Sequence, residues 1–327
     1  MKNNLARIIV SLKLVLALLC GTALAERVRV VIVQPLTHTS LNQIRDTIIA
    51  EMEGSDIEFE IVTENAEGDS AALSTILENV KSDGVDILVP IATSTAQSSK
   101  MVFEDAGVPV VFAAVSDPVA AGLTGDDCGY ITGVSNNIPA AEIVNLISDF
   151  QPDYQKIGFL YTSSETNSVS TINAAKAFCD ANGIAYEEVS IANLSELQTG
   201  VETLISKGVD ALYTGNDNSI ASAMSTYIDV AYEYGIPVYC GADSMVADGG
   251  FATIGVDYVQ LGKQVAAIVV RIANGEEPED IPYETLADYA RFVNLQAADR
   301  IGIEIPDDVL ATYNVLVEAD GTSHFGE

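Results

Sequence analysis

The sequence predicts an α/β protein made of two Rossmann-like lobes, each with a parallel sheet flanked by helices. Short apolar stretches alternate with segments of helical spacing, which is the pattern of a parallel sheet wrapped by helices. The alternation runs through four strands, breaks at a segment rich in turn residues, and then repeats. A chain of 327 residues is long enough for two such lobes to bury a core each.

The elements of the two lobes follow in the same order. In the first lobe the predicted strands are 27–33, 57–63, 86–92 and 108–115, and the helices are 41–53, 71–80 and 95–105. In the second lobe the predicted strands are 156–162, 185–191, 209–215 and 236–242, and the helices are 170–181, 194–207 and 219–233. The two lobes therefore repeat the same order of strands and helices rather than the same sequence.

Two further segments predict how the lobes are joined. Residues 129–144 contain glycines, an Asn pair and a proline, which is typical of a crossing between lobes. A long helix is predicted over 257–274 and stops at Asn274-Gly275. If this helix packs back on the first lobe, the chain crosses more than once and the lobes share a multi-segment hinge. The predicted division is 26–137 with about 257–288 for lobe 1, and 138–256 with about 289–327 for lobe 2.

Residues 1–25 are typical of a secretory signal peptide. A basic start precedes a short apolar run over 14–19, and Ala23-Leu24-Ala25 fits the cleavage site. Cleavage after Ala25 would give an exported, periplasmic protein. The alternative is a cell-surface lipoprotein attached through Cys20, although Leu19 stands where such a site prefers a small residue.

Charge and cysteine content exclude several classes of function. The formal net charge is −32, with 47 acidic and 15 basic residues, so the protein repels nucleic acid and anionic membrane surfaces. Cys128, Cys179 and Cys240 remain after the signal, enough for one disulfide at most, and the sequence leaves open whether any forms. Because no metal-ligand spacing is present, we predict neither a metal nor a cofactor.

Polar residues follow five of the predicted strands, just before a helix. Each alone is typical of a helix cap. Because ligands bind outside the carboxyl ends of parallel strands, five such ends on two facing sheets predict a ligand cleft between the lobes. The candidate ligand-binding residues are His38, Thr93, Ser94, Thr95, Ser116, Asp117, Glu165, Asn167, Ser168, Asn216, Asp217 and Asp243.

The chemistry of these candidates favours an amino acid as ligand. The first lobe offers hydroxyl groups at helix N-termini, which suit a carboxylate, and the second offers carboxylates, which suit an ammonium group. Two of the candidates keep a second interpretation. His38 follows the first strand and either contacts the ligand or belongs to a loop, whereas Asp117-Pro118 is also typical of a turn.

Enzyme signatures are sparse. The only histidines are His38 and His324, and His324 lies in a polar tail, so a Ser-His-Asp triad would have to use His38. The sequence has no Walker loop and no GxGxxG after a strand. We therefore predict a binding protein rather than an enzyme.

Several stretches resemble the substrate-binding proteins of ABC transporters with the type 1 periplasmic-binding-protein fold, in the branch associated with tryptophan and other aromatic amino acids. They include VPIATSTAQ (89–97), VPVVFAAVSDPVAAGL (108–123), ITGVSN (131–136), SETNSV (164–169), DALYTGNDNSIASA (210–223) and residues 247–282. The first loop departs from the family pattern His-Pro-x-Leu-Asp, since Thr39 stands in place of its Pro and Asn42 in place of its Asp.

The resemblance implies roles for some of the candidates. Ser94 or Thr95, together with Ser116, would hold a ligand carboxylate. Asp243 would hold the ammonium group, with Asp217 as the competitor. Asn167 and Ser168 match the E-x-N-S junction of the family.

The resemblance also implies two lobes that close on a small ligand, no catalysis, and a membrane permease–ATPase complex as partner. We separately expect a monomer. Our expectation is therefore an exported receptor of an ABC importer that binds an amino acid, with aromatic ones as candidates. A ligand-sensing module for a membrane receptor, and an enzyme on the same fold, are the alternatives.

Overall fold

A computed structural model describes residues 27–286 and 289–325. The predicted signal peptide, residues 1–25, lies outside the described residues. The described strands are β1 (Val28–Gln34), β2 (Phe59–Asn65), β3 (Ile87–Pro90), β4 (Val110–Ala113), β5 (Ile131–Ser135), β6 (Lys156–Thr162), β7 (Ala185–Ile191), β8 (Ala211–Thr214), β9 (Val238–Cys240), β10 (Ala252–Val256), β11 (Glu284–Thr285), β12 (Tyr289–Asn294) and β13 (Asn314–Val317).

Most helices lie between consecutive strands. They are α1 (Thr39–Glu53), α2 (Ser70–Asp83), α3 (Thr93–Phe103), α4 (Ala140–Phe150), α5 (Thr166–Asn182), α6 (Leu197–Ser206), α7 (Asn218–Ala221), α8 (Met224–Glu233), α9 (Asp243–Ala247), α10 (Tyr258–Ala273), α11 (Leu295–Ile301) and α12 (Asp307–Leu310). Among residues 27–286 and 289–325, none of these helices combines the length and the apolar character that a bilayer span requires.

The strands form two separate sheets, which confirms the predicted α/β class. The first sheet has the order β11-β5-β4-β3-β1-β2 and all its pairs are parallel. The second has the order β13-β12-β10-β9-β8-β6-β7, and its β10–β12 pair is antiparallel. We call the first sheet with its helices the first lobe, and the second sheet with its helices the second lobe.

The first sheet is buried on both faces. Along β1, Val30 and Ile32 belong to one apolar cluster, whereas Val31 and Val33 belong to another, because successive strand side chains point to opposite faces. The cluster around Val30 continues without a break into the core of the second lobe. The two lobes therefore share apolar packing near the crossings as well as covalent connections.

The chain passes from one sheet to the other three times. It crosses between β5 and α4, between β10 and α10, and between β11 and β12. Helix α10 follows a strand of the second lobe but packs along α1 in the first. Close contact is possible because Gly262 faces Thr47: a Cβ at position 262 would lie 2.7 Å from the Thr47 Cβ. The numbered division into two lobes stays a prediction.

The structure corrects the predicted elements at two places and answers the open question of the cysteines. The stretch 129–144 is more than a linker, because it holds β5, which pairs with β4 in the first sheet, and the start of α4. The helix predicted at 219–233 is split into α7 and α8. The three described cysteines, Cys128, Cys179 and Cys240, are buried free thiols, and burial raises the pKa of each one.

Candidate functional site

A cavity lies between the carboxyl ends of the two sheets. This is the usual place for a ligand site in proteins with parallel sheets. Its walls come from both lobes. The lining residues are His38, Ser40, Leu41, Ala92, Thr93, Ala114, Ser116, Asn136, Asn167, Asn216, Asp217, Asn218, Ala221, Ala242, Met245 and Tyr258.

The start of helix α3 forms one wall of the cavity. Ala92 precedes the helix and offers no side-chain cap, so the first N–H groups of α3 keep their capacity to donate. The Thr93 hydroxyl is buried, and no partner for it is found among the described residues. An eleven-residue helix with free N–H groups beside an unpartnered hydroxyl is suited to bind an anion.

Ser116 and Asn136 extend this wall beyond strands β4 and β5. The Ser116 hydroxyl donates to Asn136 Oδ1 at 2.9 Å, and both side chains are buried. A hydroxyl can donate or accept, so the contact holds the two side chains together with the Asn136 amide turned either way. Both residues therefore present polar groups that are held in place by a neighbour.

Two alanines in the first-lobe wall have left-handed backbone conformations. Ala92 has φ 71° and Ala114 has φ 56°, and they follow β3 and β4 respectively. Such a conformation costs an L-residue about 1–2 kcal/mol. The Ala92 N–H nevertheless donates to Ala113 O at 2.9 Å, so sheet pairing continues into the strained residue. Strain at two adjacent strand ends that line one cavity is typical of a functional site.

Glu165 joins two helix starts in the second lobe and does not line the cavity. Its oxygens accept from the backbone N–H groups of Asn218 and Ser219 at 2.9 and 2.8 Å, and from the side chains of both residues. These bonds hold the start of α7 against the start of α5. The acceptor capacity that would serve a ligand ammonium group is already used within the lobe.

Asp217 is fully buried and acts mainly within the second lobe. It accepts from the Thr162 N–H at 2.6 Å, from the Thr162 hydroxyl at 3.0 Å and from the Ile220 N–H at 2.9 Å. Burial, and after it the charge of Glu165, raises the pKa of Asp217. It borders the cavity, but its oxygens are engaged in capping α7 and fixing the end of β6.

Asp243 differs from Asp217 in the number of its bonds. It lies at the start of α9 between Ala242, a cavity residue, and Ser244, whose N–H donates to it at 2.7 Å. Burial raises the pKa of Asp243 to about 6. Because this is its one side-chain hydrogen bond among the described residues, most of its acceptor capacity is unused.

Hydrogen bonds connect the lobes across the cleft. His38 Nε2 bonds to Asn218 Oδ1 at 3.2 Å, and the Ser40 hydroxyl bonds to that of Ser244. At the outer edge, the Ser170 hydroxyl donates to Asp117 Oδ2 at 2.6 Å. The cleft is therefore closed.

The structure brings half of the predicted site residues to the cavity wall. Those that line it are His38, Thr93, Ser116, Asn167, Asn216 and Asp217. Those that do not are Ser94, Thr95, Asp117, Glu165, Ser168 and Asp243.

The residues away from the wall have identifiable surroundings. Ser94 borders a separate groove, and Thr95 points into the first-lobe core as a fully buried residue. Ser168 is buried beside Asn167. Asp117 caps its own turn through the Ala120 N–H at 2.9 Å. A ligand contact for any of the candidates stays a prediction.

Several lining residues were missed in the sequence. Asn136 follows β5 and Tyr258 follows β10, and neither strand was recognised, so the rule on strand ends could not find them. Asn218 was overlooked although it stands beside two predicted residues. Leu41 and Met245 carry no polar signal, since they supply apolar surface.

Fold and site together define a two-lobe protein that encloses a small ligand between its lobes. The chain belongs to the ABC transporter substrate-binding protein family, whose model matches residues 29–316. Members of this family bind a substrate for a transporter and are not enzymes, and they act outside the cytoplasmic membrane.

Three relatives are similar to this chain over most of its length. A tyrosine-binding protein of Clostridioides difficile is 29% identical over 270 residues, which are 80% of this chain and 77% of the relative. A Streptococcus pneumoniae structure in complex with L-Trp is 31% identical with a TM-score of 0.83, covering 89% of this chain and 99% of that one.

The third relative is a ligand-free, open substrate-binding protein of Clostridium difficile. It is 30% identical with a TM-score of 0.67, covering 88% of this chain and 98% of that one. The TM-score against this open structure is lower than that against the complex with L-Trp.

Proposed function

We propose that this protein binds a free aromatic L-amino acid between its lobes and delivers it to an ABC importer. The observation that carries the proposal is the cavity between the closed lobes, with free helix N–H groups on one wall and buried carboxylates beside the other. An aromatic side chain is favoured by two relatives, the tyrosine-binding protein and the structure in complex with L-Trp.

The ligand carboxylate binds at the start of α3 in this proposal. The N–H groups there are uncapped, and the Thr93 hydroxyl is buried without a partner in the described part of the chain. Burying a hydroxyl without a bond costs free energy, which a ligand oxygen would recover. Ser116 is the second hydroxyl on the same wall, and it would bind the carboxylate by turning its proton from Asn136 to the ligand.

The ligand ammonium group pairs with Asp243 in this proposal. Asp217 and Glu165 each accept several hydrogen bonds already, whereas Asp243 accepts one from the Ser244 N–H. An ammonium group donates three hydrogen bonds and satisfies the remaining acceptor sites of a half-used carboxylate. Asp243 is the neighbour in the chain of the lining residue Ala242 and shares the short helix α9 with Met245, and in this proposal its side chain turns toward the ligand.

The ligand side chain occupies the apolar part of the cavity. Leu41, Ala221, Met245 and the ring of Tyr258 provide this surface. Methionine sulfur and aromatic rings make favourable contacts with an aromatic ligand.

Export and delivery complete the proposal. Residues 1–25 act as a cleaved signal peptide, the mature protein works as a periplasmic monomer, and a permease–ATPase complex receives the ligand. The alternative of attachment through Cys20 predicts a protein that fractionates with membranes.

The absence of tryptophan from the sequence permits a direct test. Indole fluorescence in a mixture of this protein and L-Trp comes from the ligand alone, so its change on titration reports binding. Calorimetry with the twenty amino acids extends the test to ligands without an indole. Saturable binding of aromatic amino acids supports the proposal, and a lack of binding by all twenty overturns it.

A further inference from the structure

His38 carries a buried nitrogen that no described residue satisfies. The ring lines the cavity, its Nε2 bonds to Asn218 Oδ1 at 3.2 Å, and its Nδ1 is buried without a hydrogen-bond partner in the part of the chain that the structure describes. Buried polar atoms are almost always bonded, so an orphan in a cavity wall points to a ligand contact.

The surrounding network fixes which atom of the Asn218 amide faces His38. Asn218 Nδ2 donates to Glu165 Oε2 at 2.8 Å, and the Asn218 backbone N–H donates to the same oxygen at 2.9 Å. Reversing the amide would place its oxygen against a carboxylate oxygen, which is repulsive. The amide oxygen of Asn218 therefore faces the imidazole.

The amide orientation fixes the tautomer of His38. Asn218 Oδ1 can only accept, so Nε2 must carry the proton that forms the bond. Burial lowers the pKa of His38, while the bond to Asn218 and the charge of Glu165 oppose this effect. A neutral ring protonated at Nε2 has a lone pair and no proton at Nδ1. The unpartnered atom is thus an acceptor.

We propose that His38 Nδ1 accepts a hydrogen bond from a donor on the ligand side chain, and that this contact selects aromatic amino acids bearing an N–H or O–H group over phenylalanine. The proposal rests on the function proposed above and names its substrate class more narrowly. Tryptophan offers the indole N–H and tyrosine the phenol O–H, whereas the phenylalanine ring has no donor.

The position of His38 favours a neutral donor over the ligand ammonium group. His38 is the N-cap of the fifteen-residue helix α1, and its side chain does not cap that helix. The positive end of the helix dipole disfavours a cation beside it. The cation has a better partner in the carboxylate of Asp243, which lies in the other lobe.

The test measures dissociation constants for L-Trp, L-Tyr and L-Phe with the wild-type protein and with His38→Leu. We expect the wild type to bind the better of Trp and Tyr at least about tenfold more tightly than Phe, because Phe leaves Nδ1 unbonded. In His38→Leu this preference should shrink to about threefold or less. His38→Leu also removes the bond to Asn218 that joins the lobes, so affinity for all three ligands should fall by a common factor of about fivefold, and the loss beyond that factor should be confined to Trp and Tyr. Saturable binding of Phe shows that the variant is folded.

A spectroscopic readout separates ligand contact from a structural role. With two histidines in the sequence, the imidazole nitrogens of His38 are assignable by comparing the wild type with His38→Leu. We expect the Nε2–H tautomer without ligand, and an Nδ1 shift that moves when the donor-bearing ligand binds and stays unchanged when Phe binds.

Three outcomes would overturn the inference. Equal affinity of the wild type for all three ligands overturns it while leaving the proposed function intact. An equal loss for all three in His38→Leu, with the wild-type preference over Phe unchanged, leaves His38 with its inter-lobe bond alone and also overturns it. Absence of binding by all three, and by the other amino acids, removes the proposed function itself.

Discussion

Asp117 and Ser170 meet across the outer edge of the cleft, where the Ser170 hydroxyl donates to Asp117 Oδ2 at 2.6 Å. Asp117 follows β4 in the first lobe, and Ser170 lies on α5 in the second. The Asp117 carboxylate also accepts from the Ala120 N–H and so shapes its own turn. An acidic residue that looks like a ligand contact in the sequence thus joins the two lobes.

Removing this contact should weaken ligand binding without harming the fold. A ligand that binds the closed arrangement loses affinity when a closed-state hydrogen bond is lost, because opening is then favoured. We expect Ser170→Ala to lower affinity about fivefold, as one partly exposed bond contributes about 1 kcal/mol. Calorimetry measures the change. Ser206→Ala, at the carboxyl end of α6 and outside the lining of the cavity, is the matched control and should bind normally.

Thr93 and Thr95 provide a paired test of the carboxylate site. Both hydroxyls are buried and without a partner among residues 27–286 and 289–325, but Thr93 alone lines the cavity. Thr93→Val should lower affinity for an amino acid about tenfold, since a bond to a charged group contributes roughly 1.5–3 kcal/mol. Thr93→Ser should keep most of the affinity.

Thr95→Val should leave affinity unchanged. It should also keep or raise the free energy of unfolding, because an apolar isostere replaces an unsatisfied hydroxyl. A loss of affinity in Thr95→Val similar to that in Thr93→Val would transfer the carboxylate contact to the deeper residue.

Ligand affinity should depend on pH through Asp243. Burial raises the pKa of this carboxyl to about 6 in the ligand-free protein, and an ammonium group requires the ionised form. Affinity should therefore be level above neutral pH and fall by up to about tenfold per pH unit below 6. Asp243→Asn should bind more weakly at neutral pH and have a flatter profile. Identical profiles in the two proteins would exclude this role.

Ionisation of Asp243 should lower the stability of the ligand-free protein, whereas it strengthens ligand binding. Its folded-state pKa lies above the ordinary value of 3.8, so the unfolded state loses its proton first as pH rises. The contribution of Asp243 to ligand-free stability should be present below about pH 4 and disappear as pH rises through 6. Denaturant unfolding of the wild type and Asp243→Asn at pH 4 and 7 measures this difference.

We expect Asp217 to contribute mainly to the stability of the fold. Asp217→Asn would set an amide N–H₂ against either the Thr162 N–H or the Ile220 N–H, leaving a buried donor unbonded. We expect a loss of about 2 kcal/mol in the free energy of unfolding. Asp243→Asn at neutral pH should not show such a loss, so a denaturant series on both variants checks the assignment.

Local patterns predicted most of the fold because the strands are short, apolar and followed by turn residues. They failed at β5, whose sequence ITGVS contains a glycine and two hydroxyl residues. It is a strand because β4 and β11 pair with it on either side, and Gly133 leaves room for Phe112. Such tertiary causes cannot be seen in a short window of sequence.

The site residues could be predicted only in part for the same reason, since tertiary contacts decide what several of them do. Strand ends identified residues such as Thr93 and Ser116, since the position of a strand end in a parallel sheet is fixed by its topology. The role of each carboxylate could not be predicted, because it depends on hydrogen-bond partners from other segments of the chain. Glu165 is occupied by Asn218 and Ser219, more than fifty residues away along the chain.

Because both lobes enclose the cavity, the rate at which the lobes open limits the rate at which a ligand leaves. Bonds such as those between His38 and Asn218 must break before the walls separate, so the residence time of the cargo is set by how often the lobes part. A transporter that holds the two lobes apart would then release the ligand without itself binding to any residue of the site.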